Sequence, residues 1–166
     1  MNAVVVYESF WGNTAETARA IAEGIGPEAK VLTTDDATDV VLATAHLIVV
    51  GAPLIAFSLA REGQREQILS DRKAPRQADV THRSMRDWLD GLPTGDADFA
   101  SFETGYKRSP GSAARKIAKA MEAAGYKELT KHERFVVAGS YGPMAEGELE
   151  RAGAWGAGLT VAMNQL

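Results

Sequence analysis

The chain has 166 residues and a formal net charge of −4, and this length predicts one domain spanning residues 1–166. It contains no cysteine, which excludes disulfides, thiolate nucleophiles and thiolate metal sites. The mild negative charge argues against nucleic acid as a partner, and no apolar run approaches the roughly 20 residues of a membrane span. Because the first residues lack a basic targeting segment, we expect a cytoplasmic protein.

The first third of the chain alternates apolar runs with helical spacing. The run around Val49 is apolar throughout, which is typical of a central strand covered on both faces. Gly26 and Pro27 are expected to end the first helix. The predicted elements are strands at 3–7, 29–33 and 47–51 and helices at 14–24 and 35–43.

The middle of the chain differs in character. Residues 60–83 are polar, charged and weakly periodic, which predicts a surface excursion, part helix and part loop. Apolar residues then recur at i, i+3, i+4 and i+7 from Met85 to Leu92, the spacing of an amphipathic helix. The turn at 93–95 is expected to end that helix.

The last third predicts two more strands, at 98–104 and 133–138, each followed by a helix. The helix between them opens at Gly111 and Ser112. Three acids, Glu146, Glu148 and Glu150, occupy the first turns of the final helix, where the helix dipole favours negative charge. The glycines of that helix are expected to allow close approach to the sheet.

Strands that alternate with helices predict parallel βαβ units. The expected fold class is α/β, a three-layer doubly wound sheet of five parallel strands. In such sheets a ligand binds beyond the carboxyl ends of the strands, where the strand order reverses. The loops after strands one, three and four are therefore the candidates for a site.

The loop after strand one, Ser9 to Thr14, is rich in hydroxyl, amide and glycine groups, and no Lys or Arg occurs from Ser9 to Ala18. This composition predicts a phosphate site built from backbone N–H groups, hydroxyls and a helix N-terminus. The loop lacks the Gly-Lys-Ser/Thr ending of a triphosphate loop and the GxGxxG pattern of a dinucleotide site. Asn13 and Glu16, three residues apart, are spaced as a helix-capping pair.

The stretch from Tyr7 to Thr14, followed by an alanine-rich helix, resembles the flavodoxin signature, in which a hydroxyl residue precedes a Gly-Asn-Thr turn. The segments 109–115 and 147–156 are similar to a subgroup of small actinobacterial flavodoxin-domain proteins. The resemblance implies strand order 2-1-3-4-5 and FMN as the cofactor, with its phosphate in the first loop.

The resemblance also implies an aromatic residue against each face of the flavin ring, and Phe57 and Tyr106 are the matching candidates. Leu54 and Ile55 stand where the family has polar residues, and cationic residues, Lys107 among them, replace its acids. The implied cofactor-binding residues are Ser9, Phe10, Trp11, Gly12, Asn13, Thr14, Pro53, Leu54, Ile55, Ala56, Phe57, Ser58, Thr104, Gly105 and Tyr106.

The three histidines, His46, His82 and His132, lie far apart and show no ligand spacing, so no metal site is predicted. His46 borders an apolar strand and is expected to be structural, whereas His82 and His132 are expected at the surface. Ser9 lacks a GxSxG elbow, and no catalytic residue is predicted.

The resemblance thus implies an FMN-binding electron-transfer protein, a cytoplasmic flavoprotein that meets redox partner proteins transiently. Two alternatives remain. The first is an FMN-dependent oxidoreductase similar to quinone reductases or to quinone-linked protoporphyrinogen oxidases, with 60–83 as a lid. The second is a binding module that keeps the fold but has lost FMN, which Leu54, Ile55, Lys107 and Arg108 motivate.

Overall fold

Parallel strands and helices alternate along the chain, as the apolar runs predict. The computed structural model describes residues 1–166. The strands are β1 (Ala3–Tyr7), β2 (Lys30–Thr33), β3 (Leu47–Pro53), β4 (Asp98–Gly105), β5 (Lys127–Glu128) and β6 (Glu133–Val136). The helices are α1 (Asn13–Ile25), α2 (Asp39–Thr44), α3 (Glu62–Leu69), α4 (Met85–Asp90), α5 (Ala113–Ala123) and α6 (Glu148–Met163). None of these helices has the length and apolar character needed to cross a membrane.

The strands form one parallel sheet in the order β2-β1-β3-β4-β5, which confirms the predicted order. The fifth position differs from the single strand expected at 133–138. Two short strands occupy it, because β5 pairs with the start of β4 at Asp98 and β6 pairs with its end at Gly105. The strand order reverses between β1 and β3, so a crevice opens beyond their carboxyl ends.

Side chains alternate between two cores along the central strands, because successive residues of a strand point to opposite faces. Val4 and Ile48 pack on the face covered by α2, α4 and α5, where Trp88 and Ile117 are buried. Val5 and Val49 pack on the other face, under α1 and α6. Both faces of the sheet are therefore covered, as the uninterrupted apolar run of β3 predicts.

Glycines allow α6 to lie close to α1. The expectation that the glycines of α6 allow it to approach the sheet is wrong. A Cβ added to Gly156 would lie 2.2 Å from the carbonyl oxygen of Ile21. A Cβ on Gly24 would lie 1.9 Å from the carbonyl oxygen of Gly153. The missing side chains let the two backbones touch, and this contact fixes α1, whose N-terminus faces the crevice.

Two predicted helices have different bounds in the structure. The helix expected at 35–43 begins at Asp39, because a turn closed by the Ala37 N–H on the Thr33 carbonyl (3.1 Å) precedes it. The helix that starts at Met85 ends at Asp90, before the turn at 93–95, and Gly91 caps it. Within 60–83 only α3 is helical, and the remainder is irregular.

Candidate functional site

A cavity of about 250 Å³ opens at the carboxyl edge of the sheet. The loops after β1, β3 and β4 form three of its walls, as the fold rule predicts. Segment 60–83 and the loop after β6 complete it. The residues that line it are Ser9, Phe10, Trp11, Asn13, Thr14, Pro53, Leu54, Ile55, Ile68, Asp71, Thr104, Gly105, Tyr106, Val137, Ser140 and Tyr141.

The loop after β1 presents unused hydrogen-bond donors to this edge. Gly12 adopts φ +109°, a left-handed conformation, and the first turn of α1 starts directly after it. Its own N–H donates to Ser9 Oγ at 3.2 Å. Five backbone N–H groups have no acceptor in the protein, those of Phe10, Trp11, Asn13, Thr14 and Ala15. Converging N–H groups at a helix N-terminus form a site for an anion.

Asn13 does not cap α1, so the predicted capping pair with Glu16 is wrong. The cap position belongs to Gly12, and no side chain bonds there. Because Asn13 is already helical, its amide projects across the sheet edge and donates to the carbonyl of Gly139 at 3.0 Å. This bond ties the loop after β6 to the β1 loop.

Thr14 and Thr104 join the β1 side of the cavity to β4. Their hydroxyl oxygens lie 2.8 Å apart, and both residues are buried. Either hydroxyl can donate in this pair. The accepting hydroxyl then keeps its own proton, and the donating oxygen keeps its lone pairs, for a contact with a third group. The pair therefore fixes the position of α1 relative to β4 at the bottom of the cavity.

The loop after β3 places Pro53, Leu54 and Ile55 in the cavity wall but turns Phe57 away from it. Ile55 and Ser58 exchange two hydrogen bonds, of 2.9 and 3.1 Å, around a tight turn. In this turn Ala56 has φ +44° and Phe57 has φ +75°. The Phe57 side chain is 65% exposed, and Ala56, Phe57 and Ser58 do not line the cavity. The stacking contact of Phe57 with a flavin ring stays a prediction. The turn directs that ring to solvent, while the Phe57 carbonyl accepts from the Ser112 N–H at 3.1 Å.

Hydrogen bonds hold the loop after β4 in position, and this loop places Tyr106 in the cavity wall. The buried Glu103 carboxylate accepts from Arg134 Nε at 2.7 Å and from the Ala114 N–H at 2.9 Å. Arg134 also donates to the Tyr106 carbonyl at 3.2 Å. Tyr106 is 48% exposed at the mouth. Its neighbours Lys107 and Arg108 are exposed to solvent.

The sequence did not predict five of the lining residues: Ile68, Asp71, Val137, Ser140 and Tyr141. The Tyr141 hydroxyl donates to Asp71 at 2.5 Å and so joins the loop after β6 to segment 60–83. This bond lowers the pKa of Asp71 and raises that of Tyr141. The position of Ser140 and Tyr141 after a parallel strand was a usable signal, whereas nothing local marks Ile68 or Asp71.

A buried polar group lies directly beneath the β1 loop. Glu8 is fully buried, and its carboxylate accepts from the Met85 N–H at 3.0 Å and lies 3.9 Å from Arg65 Nε. Burial raises the pKa of Glu8 to about 7. Arg65 in turn donates to the His82 carbonyl at 2.7 Å.

His82 is buried, so its predicted surface position is wrong. Its Nε2 lies 3.4 Å from the Ser9 N–H, and burial lowers its pKa. The fold of segment 60–83 back onto the β1 loop causes this burial. His46 is structural as expected, since its Nδ1 accepts from the Asn2 N–H at 3.0 Å. No cluster of acidic or histidine side chains is placed to hold a metal ion.

The sheet order, the flanking helices and the crevice at the strand reversal define a flavodoxin-like fold. A flavodoxin from the domain Archaea is 22% identical, with a TM-score of 0.70 and 99% of each chain covered. Flavodoxin 1 from Bacillus cereus is 17% identical, with a TM-score of 0.68 over 97% of this chain and 98% of that one. A WrbA-like flavodoxin from Agrobacterium tumefaciens is 20% identical, with a TM-score of 0.62 over 99% and 98%.

No protein-family profile and no curated protein sequence matches the chain. The chain therefore shares the fold of flavodoxins at low sequence identity. The resemblance to an actinobacterial subgroup stays a prediction.

Proposed function

We propose that this protein binds FMN at the carboxyl edge of its sheet and transfers electrons between redox partner proteins. The observation that carries the proposal is the β1 loop, which has five N–H groups without an acceptor. Four of the five belong to residues that line the cavity at the strand reversal of a flavodoxin-like sheet. The solved structures with this fold include several flavodoxins.

The donors of the β1 loop fit a phosphate monoester. Besides the backbone N–H groups, Trp11 Nε1 is buried at the cavity wall without an acceptor. The Ser9 and Thr14 hydroxyls lie in the same wall. A buried donor without an acceptor costs about 1–3 kcal/mol, and a bound phosphate oxygen relieves that cost.

The other walls fit a flat aromatic ring. Leu54 and Ile55 supply apolar surface on the β3 side, and Tyr106 supplies an aromatic ring on the β4 side. Pockets for cofactor rings combine apolar lining with few polar groups in this way. Within the predicted set, Ser9, Phe10, Trp11, Asn13, Thr14, Pro53, Leu54, Ile55, Thr104, Gly105 and Tyr106 line the cavity, and we assign the ligand contacts to them.

FMN would supply the redox chemistry, and the protein would supply binding, orientation and electrostatics. The half-exposed Tyr106 at the mouth leaves this side accessible to a partner. Transient encounter at such a mouth requires neither a nucleophile nor a general base from the chain. We propose a cytoplasmic location for this carrier.

A second candidate function is an FMN-dependent oxidoreductase. Asp71 from segment 60–83 lies in the cavity wall, hydrogen-bonded to Tyr141. An ionisable side chain beside the ring site is a feature that a substrate contact would use and that electron transfer does not need. A quinone is the substrate class that a flat apolar cavity accommodates.

One experiment separates these functions. The purified chain is reconstituted with FMN. In one arm the flavin is reduced anaerobically and mixed with a one-electron acceptor protein such as cytochrome c. In the other arm menadione is added together with NADH as a continuous reductant. The proposal predicts rapid oxidation by the protein acceptor and no steady turnover with the quinone. Sustained quinone turnover that Asp71→Asn abolishes would favour the enzyme, and failure to take up FMN would leave only the binding module.

A further inference from the structure

Segment 60–83 is packed against the β1 loop and does not extend freely into solvent. Phe10 of the loop forms a small buried cluster with Ala60 and Ala78 of the segment. The Asp79 N–H donates to the Phe10 carbonyl at 2.8 Å. The segment therefore has a defined position over the loop, and its side chains are brought to the anion donors described above.

One cation of this segment reaches the loop backbone. Arg76 Nη2 donates to the Trp11 carbonyl. A Cβ added to Gly12 would lie 3.6 Å from the same nitrogen. The sequence places no Lys or Arg between Ser9 and Ala18, yet the fold supplies one from more than 60 residues away in the chain.

The guanidinium of Arg76 has no carboxylate partner. The acids nearest in the chain are otherwise engaged, because Asp71 accepts from Tyr141 and Asp79 accepts from Thr81. Glu8 lies beneath the loop and faces Arg65. A guanidinium without a carboxylate partner, next to a loop that has five N–H groups without an acceptor, favours the binding of an anion.

We propose that Arg76 binds the terminal phosphate of the ligand and makes the site selective for a phosphate monoester over the same flavin without its phosphate. This inference rests on the proposed function. A phosphate monoester carries a charge of about −1.5 to −2 near pH 7, and a guanidinium matches its oxygens with charge-assisted hydrogen bonds. Segment 60–83 is then part of the anion site.

The test compares the wild-type chain with Arg76→Gln and with Arg72→Gln. Arg72 is the matched control, because it is exposed in the same segment and its side chain makes no hydrogen bond or ion pair. Dissociation constants for FMN and for riboflavin are measured by quenching of flavin fluorescence. Inorganic phosphate is added separately as a probe, and its effect on the melting temperature is recorded.

We expect Arg76→Gln to weaken FMN binding about tenfold, the value of one charged hydrogen bond, and to leave riboflavin binding unchanged. Arg72→Gln should leave the dissociation constants for FMN and riboflavin within twofold of the wild-type values. Stabilisation by inorganic phosphate is lost in Arg76→Gln only. The salt dependence of FMN binding also becomes shallower in this variant, because one cationic contact is gone.

Two results would overturn the inference while the proposed function stands. One is FMN affinity of Arg76→Gln equal to that of the wild type. The other is an equal loss for FMN and riboflavin, which would mean that Arg76 only shapes the loop. Conversely, phosphate stabilisation that depends on Arg76, without FMN uptake by the wild type, would support the anion site and overturn the proposed function. Absence of both phosphate and FMN binding would overturn both.

Discussion

The loops that follow β1 and β3 leave the same edge of the sheet, yet they use their backbones in opposite ways. The β1 loop leaves five N–H groups without an acceptor and has glycine, Gly12, at its left-handed position. The β3 loop closes on itself through the Ile55–Ser58 pair, with Ala56 and Phe57 in the left-handed region. A left-handed residue that is not glycine costs roughly 1–2 kcal/mol.

This difference separates the two halves of the proposed ligand. The β1 loop offers its donors to an anion in the conformation that it already has, so little free energy goes into rearrangement. The β3 loop offers only aliphatic surface in that conformation, with its aromatic ring in solvent. Binding free energy should therefore come mainly from the phosphate side.

The largest expected effect concerns the buried carboxylate beneath the β1 loop, that of Glu8. The pKa of Glu8 is raised by burial to about 7, so the folded state holds a proton that the unfolded state releases near its ordinary value. Stability from this group is therefore lost as pH rises between about 4.5 and 7. The Glu8→Gln variant has no ionisable group at this position, so its stability does not fall for this reason.

Urea unfolding of Glu8→Gln and wild type at pH 5 and pH 8 measures the effect. The stability of the variant relative to wild type should rise by about 2 kcal/mol over this range. His82 is present in both proteins, so its contribution to the pH dependence cancels from the difference between their unfolding free energies. A difference that does not change with pH would show that Glu8 is ionised throughout.

Thr14→Val tests the hydroxyl pair on the β1 side. It should weaken FMN binding by about 2 kcal/mol, roughly 30-fold, because a buried polar contact loses its partner and Thr104 is left unpaired. Thr38→Val is the control, since Thr38 is exposed and its side chain caps nothing. Fluorescence titration gives both constants, and equal affinity of Thr14→Val and wild type would remove this hydroxyl from the site.

The two ends of α1 offer a matched pair of glycines. Gly12 and Gly26 both have positive φ, and an added Cβ at either meets no atom closer than 3.6 Å. Alanine at each position should cost about 1–2 kcal/mol of stability through backbone strain. Only Gly12→Ala should also weaken FMN binding, by about tenfold, because its loop carries the donors. Equal FMN affinities in the two variants would contradict the assignment of the loop.

The smallest effect is expected at the aromatic residues. Tyr106→Leu should weaken riboflavin binding by about 1 kcal/mol, the value of one aromatic stacking contact. Phe57→Leu should leave it within twofold, because that ring lies outside the cavity. If Phe57→Leu causes the larger loss, the β3 turn rearranges on binding and brings Phe57 onto the ring.

The sequence predicted what depends on local pattern. The apolar runs of β1, β3 and β4 and the stripe of α5 were found because buried strands and amphipathic helices have distinct periods. The division of the fifth strand into β5 and β6 was not found, because pairing along β4 decides it. Parallel topology then brought the three predicted loops to one cavity.

What the sequence could not show depends on tertiary contacts. Arg76 and His82 lie in a polar segment whose local pattern suggests a solvated loop, and only its packing on Phe10 brings them to the β1 loop. The outward position of Phe57 follows from two residues in the left-handed region. Neither is a glycine, the residue by which such a position is usually recognised in a sequence. Asn13 resembled a cap because its type is favoured there, yet the helix starts one residue earlier.

In the proposed function, FMN binds to the β1 loop and its cavity through its phosphate. The most direct measurement is titration of the flavin-free protein with FMN and, in parallel, with riboflavin, followed by flavin fluorescence. We expect saturable quenching by FMN at one site per chain, with riboflavin bound at least about tenfold more weakly. Equal affinity for the two flavins, or no quenching by FMN, would contradict it.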